Sequence, residues 1–566
     1  MAAEALRSER SSVSSDVGRG NDREAGNPGY TELPTVSMEA MRSRAMAVFR
    51  RPSASGSVQL RKRKSKLYSK DTRGASASGG LFGESTLFVL LTFAFRIANC
   101  FMVQTSFVPD EYWQSLEVAH NMTFNYGYLT WEWNEGLRGF TYPLLFASVY
   151  KILDWIGKDD VIFLIWIPRL IQAVVSGLAD VRLYGLMKCL ENSEVAKWVY
   201  FCQLCSWFTW YCCTRTLTNT METVLGTFAL YYFPLEGSTT KNSTRYLFFV
   251  ALAFLIRPTA IILWIPLLIY HFFKEQKKLD LILQQCLPVG LFTFGTSLII
   301  DRVFFGKWTF VQWNFLKFNV LQNIGSFYGS HPWHWYITQG FPVIIGTHLP
   351  FFIHGCIVSP KRYRVLLVAV IWTVLIYSFL SHKEFRFIYP VLPLCMVFSG
   401  LSLSHFKRWK KTAIGLLVLS NMLPALYTGL VHQRGTLDIM SNIQQLCGME
   451  NSSLLVLMPC HSIPHYSHVH CPTVMNFLEC PPDLGDHDTY VDEADLFYVS
   501  PMAWLNAEFY DTSRLPTHLV LFSVLEKEIG SFLDTHRYVR KASVFHTHVP
   551  EGRIGSHIYM YERRMK

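Results

Sequence analysis

Two short stretches hold the residue types from which acid–base and phosphate chemistry are built. PDEYWQSLEVAH (109–120) has adjacent carboxylates at Asp110 and Glu111, and SHKEFRFIYP (381–390) has His382, Lys383, Glu384 and Arg386 close together. A carboxylate can take the proton of an attacking hydroxyl, and cations can stabilise a departing phosphate, which is what moving a sugar off a lipid phosphate requires. Each stretch also has a plainer reading. Pro109-Asp110-Glu111 suits a helix start with Asp110 as its cap, and Lys383, Glu384 and Arg386 can neutralise one another in an ordinary loop.

Further polar and aromatic pieces accompany them. GYLTWEWNEGLRGFTYP (127–143) continues the first stretch, and FVQWNFLKFNVLQNIGSFYGSHPWHWYITQGFP (310–342) contains His331, Trp333 and His334. Tryptophan and tyrosine in such a loop suit a membrane-interface belt, and the same faces can stack on sugars. TRTLTNTMET (214–223) and IRPT (256–259), with Arg257, are shorter polar breaks between apolar runs. PCHSIPHYSHVHCP (459–472) gathers Cys460, His461, His465, His468, His470 and Cys471, but its spacing fits no familiar zinc pattern and its prolines break any aligning helix. A His-rich surface loop tied by disulfides is the expectation there. Cys447, Cys460, Cys471 and Cys480 allow three pairings, among which the sequence does not choose.

The elements that must position these residues cross a membrane. Of 566 residues, 50% are hydrophobic and 15% aromatic, and runs long enough to cross ~30 Å of hydrocarbon recur near 87–103, 161–186, 196–212, 217–235, 246–273, 281–300, 341–357, 365–381, 387–404 and 412–430. The chain does not open on a charge-poor core, so a cleavable signal peptide is not expected and 87–103 acts as a signal anchor. The net charge of +10 lies in clusters beside the runs: RKRKSK (61–66), KEQKK (274–278), KRYR (361–364) and KRWKK (407–411). That placement speaks for cytoplasmic loops and not for nucleic acid.

With the N-terminus inside, alternation puts the 110, 310–342 and 381–390 stretches together on the far side, with roughly eleven crossings in all and 140–157 at the membrane surface or re-entrant, or itself a crossing if the helices flanking Arg257-Pro258 are one kinked span. Residues 1–80, rich in Ser, Gly, Ala and Arg, are expected as a disordered cytoplasmic tail. Residues 81–430 form the transmembrane domain, with lumenal loops at 104–160, 305–340 and 381–387. Residues 431–566, where β-rich runs such as SLLVLMP (453–459) and THLVLFSVL (517–525) alternate with turns, form a small α/β lumenal domain. Of three sequons, this topology exposes Asn121 and Asn451 to glycosylation and hides Asn242.

From about Leu87 onward, PDEYWQSLE, FYGSHPWHWY and SHKEFRFIYP together resemble the dolichyl-phosphate-mannose-dependent α-mannosyltransferases of glycosyltransferase family 22. The resemblance implies the GT-C fold, an all-α polytopic membrane domain. The HPWHWY loop, IRPT, RTLTNTMET and PCHSIPHYSH look most like the branch that adds a third, α1,2-linked mannose to a glycosylphosphatidylinositol (GPI) precursor at the lumenal face of the endoplasmic reticulum. It implies that Asp110 is the general base, that Glu111 orients it or binds acceptor, and that the β-linked donor reacts with inversion. His382, Lys383 and Arg386 match the family's HKE-x-RF signature, and the chemistry assigns them the donor phosphate, with Glu384, His331, Trp333, His334 and Arg257 also on substrate. The leaving group is a single lipid phosphate and no D-x-D stands at the site, so neither metal nor other cofactor is expected. Two other readings share features with this one: a family 22 enzyme of the lipid-linked N-glycan precursor, and a transporter or lipid scramblase using Arg96, Arg169 and Arg257. No internal repeat of the transporter kind is present.

Overall fold

The computed structural model describes residues 84–237, 243–484 and 490–564. The 1–80 tail, the 61–66 basic cluster and the Asn242 sequon lie outside them.

Ion pairs identify one end of the helix bundle. Glu191, just after helix Val161–Leu190, binds Arg362, and Glu194, in the first turn of helix Ser193–Cys205, binds Lys410 at 3.0 Å. Gly237 faces Arg362 and Leu190, and its neighbour Glu236 lies 3.1 Å from Lys274. The KEQKK, KRYR and KRWKK clusters therefore gather at one end. From that end the chain leads through apolar helices to Arg215, Arg257 and Tyr377 at the other, where the polar stretches meet.

Six helical stretches among the described residues are long and apolar enough to cross a membrane: Val161–Leu190, Lys278–Phe305, Tyr336–Val358, Lys361–Phe379, Phe385–His405 and Lys410–Gln444. Thr86–Met102, Thr244–Ile256 and Ala260–Lys274 are shorter apolar helices. Fewer stretches meet the length than the sequence suggests, because local chemistry divides several runs. Pro258 supplies no N–H, and the residue before a proline avoids the helical region. Arg257 is extended (φ −146°, ψ 105°), and the run splits into Thr244–Ile256 and Ala260–Lys274. Ser206, also extended, caps Trp207–Cys212 by accepting from Thr209 N and so divides the 196–212 run.

The helix Leu392–His405 is buried on nearly every side. Close approach is possible because a Cβ on Gly355 would meet the Phe398 carbonyl oxygen at 2.0 Å, and one on Gly400 would meet Val199 at 2.4 Å. Small residues at helix crossings allow such contact within a membrane. The 140–157 stretch holds the 15-residue helix Thr141–Trp155, which rises only about 22 Å, short of the hydrocarbon thickness. It buries Tyr142, Phe146 and Tyr150 against the first loop and exposes Leu145, Ile152 and Trp155.

After the last apolar helix the described residues form five strands, β1 (Ser453–Leu457), β2 (Val474–Phe477), β3 (His518–Phe522), β4 (Tyr538–Phe545) and β5 (His557–Arg563), in spatial order β2-β1-β3-β5-β4. β1 runs parallel to β2 and β3, and β5 is antiparallel to β3 and β4. Alternation along β1 and β3 sends Leu455, Leu457, Leu519 and Leu521 to one face and Leu454, Val456, Val520 and Phe522 to the other. Helices cover both faces, so the strands read as continuous apolar runs.

This sheet unit is docked on the first loop. Glu117, buried, accepts hydrogen bonds from His465 N (2.8 Å), Ser467 N (3.2 Å) and Ser467 Oγ (2.5 Å). Trp113 Nε1 donates to the Ile463 carbonyl (3.2 Å), and its ring packs on His461, His465 and Phe477. The His-rich segment is thus an interface and not a surface loop. Its disulfides are Cys447–Cys471 and Cys460–Cys480, the interleaved choice among the three pairings.

Candidate active site

A cavity of about 640 Å³ lies where the first loop, the 310–328 segment, the 380–387 segment and the sheet unit meet. Asp110 opens a helical turn that widens into the π-helical stretch Tyr112–Leu116. Its carboxylate caps no backbone N–H and instead accepts from side chains, Arg386 Nη1 (2.6 Å) and Gln114 Nε2 (2.6 Å), both at Oδ2. Oδ1 makes no hydrogen bond with the described residues, and the side chain, 26% exposed, lines the cavity. One oxygen is pinned while the other is presented, the arrangement a general base needs.

The 381–386 segment is internally neutralised in part, as its plainer reading allowed. Arg386 grips Glu384 with two nitrogens, Nε to Oε2 (2.7 Å) and Nη2 to Oε1 (2.6 Å), while Nη1 reaches Asp110. His382 has an acceptor at each ring nitrogen, the Gly329 carbonyl and Glu384 Oε1, both at 3.1 Å. Burial opposes its charge, but Glu384 and the carbonyl outweigh that and raise its pKa, favouring imidazolium. Burial likewise pushes the Glu384 carboxyl up, and Arg386 with His382 overcomes it and holds the carboxyl below the usual range.

Several expected site residues face elsewhere. Lys383 is buried and does not line the cavity: its ammonium donates to the carbonyls of His331 (2.8 Å) and Leu380, and burial lowers its pKa. Glu111, 2% exposed, turns away into an ion pair with Arg215 at 2.8 Å. Arg215 also donates to the carbonyls of Tyr211 and Thr105, leaving Glu111 no approach to acceptor. His331, Trp333 and His334 do not line the cavity either. Trp333 is 64% exposed and His334 is exposed, while His331 stacks on Trp335. The loop acts through its backbone and Tyr336: His331 N donates to Ser381 O (3.0 Å), and Tyr336 Oη donates to Glu384 O (2.9 Å). These bonds hold the 381–384 turn in place.

Arg257 lines the cavity, with Nε 3.3 Å from Glu222 Oε2 and Nη1 donating to Asn219 Oδ1 (3.3 Å). Other cavity residues are absent from the sequence reading. Gln114 Nε2 also reaches Glu132 Oε2 (3.3 Å), and Glu132 is paired with Arg138 (2.8 Å). Gln114 stands four residues after Asp110, a helical spacing that could have singled it out. Nothing local indicates the wall from the sheet unit, which includes His461, Asp495 and Arg553. Arg553 pairs with Asp495 at 2.8 Å, and Tyr328 Oη donates across to the Cys480 carbonyl (3.4 Å). Cys460, His461 and Cys480 lie close enough to suggest metal ligands, but the two sulfurs are joined to each other and neither is a thiolate.

Of the sequons, Asn451 is exposed in a turn, and Asn121 is half-buried in the helix Glu117–Phe124, its Nδ2 3.5 Å from the Gly127 carbonyl.

Among known proteins, residues 87–470 match the Alg9-like mannosyltransferase family. The chain is similar to GPI alpha-1,2-mannosyltransferase 3 of Xenopus laevis, 74% identical over 94% of this chain and 100% of that one. The Homo sapiens protein of the same name is 67% identical over 90% and 93% of the two chains. In fold it resembles ArnT from Cupriavidus metallidurans, solved with undecaprenyl phosphate bound, at a TM-score of 0.56 and 12% identity over 84% of this chain and 97% of that one.

Proposed function

The chain belongs to the Alg9-like mannosyltransferase family, and on that premise we propose that it moves mannose from dolichyl-phosphate mannose onto the second mannose of a GPI precursor, in α1,2 linkage. The observation that carries the mechanism is the asymmetry of Asp110: Oδ2 held by Arg386 and Gln114, Oδ1 open to the cavity. In this reading Oδ1 takes the proton of the acceptor 2-hydroxyl as its oxygen bonds to C1 of the donor mannose. The C1–O bond to phosphate breaks at the same time and its electron pair leaves on the phosphate. A single displacement of this kind turns a β-linked donor into an α product.

Arg386 is a positioning residue here, since its nitrogens are engaged by Asp110 and Glu384. The leaving phosphate falls to Arg257, with the His382 imidazolium on the same cavity. No divalent ion is expected in this reading: the leaving group is a single lipid phosphate, and the carboxylates beside the base have cationic partners, Asp110 and Glu384 sharing Arg386 and Glu132 having Arg138. The basic end of the bundle faces the cytosol and the cavity faces the lumen of the endoplasmic reticulum, in keeping with the inside bias of Lys and Arg.

The test is a transfer assay with purified protein, dolichyl-phosphate mannose and a two-mannose GPI precursor. Transfer by the wild type and its loss in Asp110→Asn supports the reading. Transfer to an N-glycan lipid precursor in place of the GPI precursor, or full activity of Asp110→Asn, overturns it.

A further inference from the structure

Beside the 380–387 segment the cavity has a wall whose hydroxyls have no hydrogen-bond partner among the described residues. Arg257, Thr259 and Tyr377 line it; Arg257 is 5% and Tyr377 2% exposed. Thr259 Oγ1 and Tyr377 Oη are each buried without a hydrogen bond to any described residue, and Arg257 Nε has the Glu222 carboxylate 3.3 Å away as its ion-pair partner. The Tyr377 hydroxyl clusters with Thr259 and Arg257, whose side chains approach it without meeting hydrogen-bond geometry. Buried hydroxyls are nearly always satisfied, because stripping them of water without replacement is costly. Two hydroxyls and a guanidinium that meet at one cavity wall call for a ligand rich in acceptor oxygens.

The local fold selects an anion. Thr259 is the N-cap of Ala260–Lys274, but the first amides of that helix donate to the carbonyls of Arg257, Pro258 and Thr259, so its side chain makes no capping bond and its hydroxyl is left to the cavity. Arg257 Cζ rests 4.8 Å from the centroid of Phe387, an apolar face that strengthens charge interactions beside it. Glu222 pairs with Arg257 but does not line the cavity, so it orients the guanidinium from behind.

We propose that Thr259 and Tyr377 complete, with Arg257, the seat of the lipid carrier's monophosphate, each hydroxyl donating to a phosphate oxygen. This rests on the donor reading above. It identifies two uncharged residues that hold the leaving group as negative charge develops on it, work for which the sequence pointed to Lys383.

Tyr377→Phe and Thr259→Val each remove a hydroxyl while keeping the shape. The experiment measures binding of dolichyl monophosphate to purified wild type and variants in detergent, with phosphatidylinositol as a second ligand because the acceptor also carries phosphate. Thermal unfolding verifies that each variant is folded. Each variant is expected to bind dolichyl monophosphate roughly tenfold more weakly, the loss typical of one hydrogen bond to a charged group, to raise the donor KM, and to leave the acceptor KM unchanged. Folded variants that bind it as the wild type does overturn the subsite, as does weaker binding confined to phosphatidylinositol. A wild type that transfers no mannose overturns the functional reading instead, so the two failures are distinguishable.

Discussion

Arg386 Nη1 lies 2.6 Å from Asp110 Oδ2, joining residues 276 positions apart in the chain. The guanidinium can do this while gripping both oxygens of Glu384 because its donors form a rigid fork. A lysine ammonium cannot meet all three oxygens with the same geometry. Arg386→Lys is therefore expected to lower kcat by roughly tenfold to a hundredfold, the range for a lost hydrogen bond to a charged group, in an assay of labelled mannose transfer. A variant with wild-type kcat would show that the tie has no part in positioning the base.

Asp110 and Glu111 should respond in opposite ways. Asp110→Asn keeps the shape but removes the basic oxygen, so kcat should fall by about 10²–10⁴ with the melting temperature little changed. Glu111→Gln leaves Arg215 charged and unpaired in the interior, a loss on the order of 3–5 kcal/mol, with activity per folded molecule retained. Thermal melts beside rate measurements separate the two, and a stable but inactive Glu111→Gln would return Glu111 to the chemistry.

In the 331–336 loop the exposed residues should be replaceable and a buried one should not. Trp333→Ala and His334→Ala are expected to change kcat and KM by no more than about twofold, as exposed side chains away from the cavity do. Tyr336→Phe removes the hydroxyl that holds both the Glu384 carbonyl and its N–H, and should cost about 1–3 kcal/mol where these backbone groups are left unpaired. Loss of activity in Trp333→Ala with Tyr336→Phe unaffected would reverse the assignment.

The interface between the sheet unit and the first loop should weaken in acid. Burial holds the pKa of His461 at about 4 and those of His465 and His468 at about 3, below the ordinary 6.5; Asp110 partly offsets this for His461, and Arg169 adds to it for His468. Between those values and 6.5 the unfolded state binds more protons, so stability is full above about pH 6.5 and falls as pH drops, by up to about 1.4 kcal/mol per pH unit for each histidine. Melting temperatures at pH 7.5, 6.5 and 5.5 measure this, and a flat profile would mean that these imidazoles charge without undocking.

Chelation should leave transfer unaffected. The carboxylates beside the base, Asp110, Glu384 and Glu132, are paired with Arg386 and Arg138, so EDTA is expected to change the rate by less than about twofold, unlike a site where the ion carries the leaving group. Activity lost to EDTA and restored by magnesium or manganese would contradict this.

Properties that depend on chain neighbours were legible in the residues alone. Hydropathy marked the apolar runs, Pro258 marked the break that brings Arg257 to the cavity, and short-range apolar alternation marked β1 and β3. The basic clusters foretold which ends of the helices gather. The meeting of Asp110 with the 382–386 segment followed once the runs were counted.

Side-chain direction was decided by packing alone. Successive residues on a helix point about 100° apart, so Asp110 and Glu111 cannot both face one cavity, and nothing within PDEYWQ says which does. The Arg215 guanidinium, brought in by a distant helix, draws Glu111 inward and leaves Asp110 to Arg386. Lys383 is turned aside by carbonyls on either side of it. The His-rich segment is buried because Trp113 and Glu117 complement it across some 350 positions of chain. The same contact brings the sheet unit to the cavity wall. These outcomes rest on contacts between segments far apart in sequence, and local composition carries no record of them.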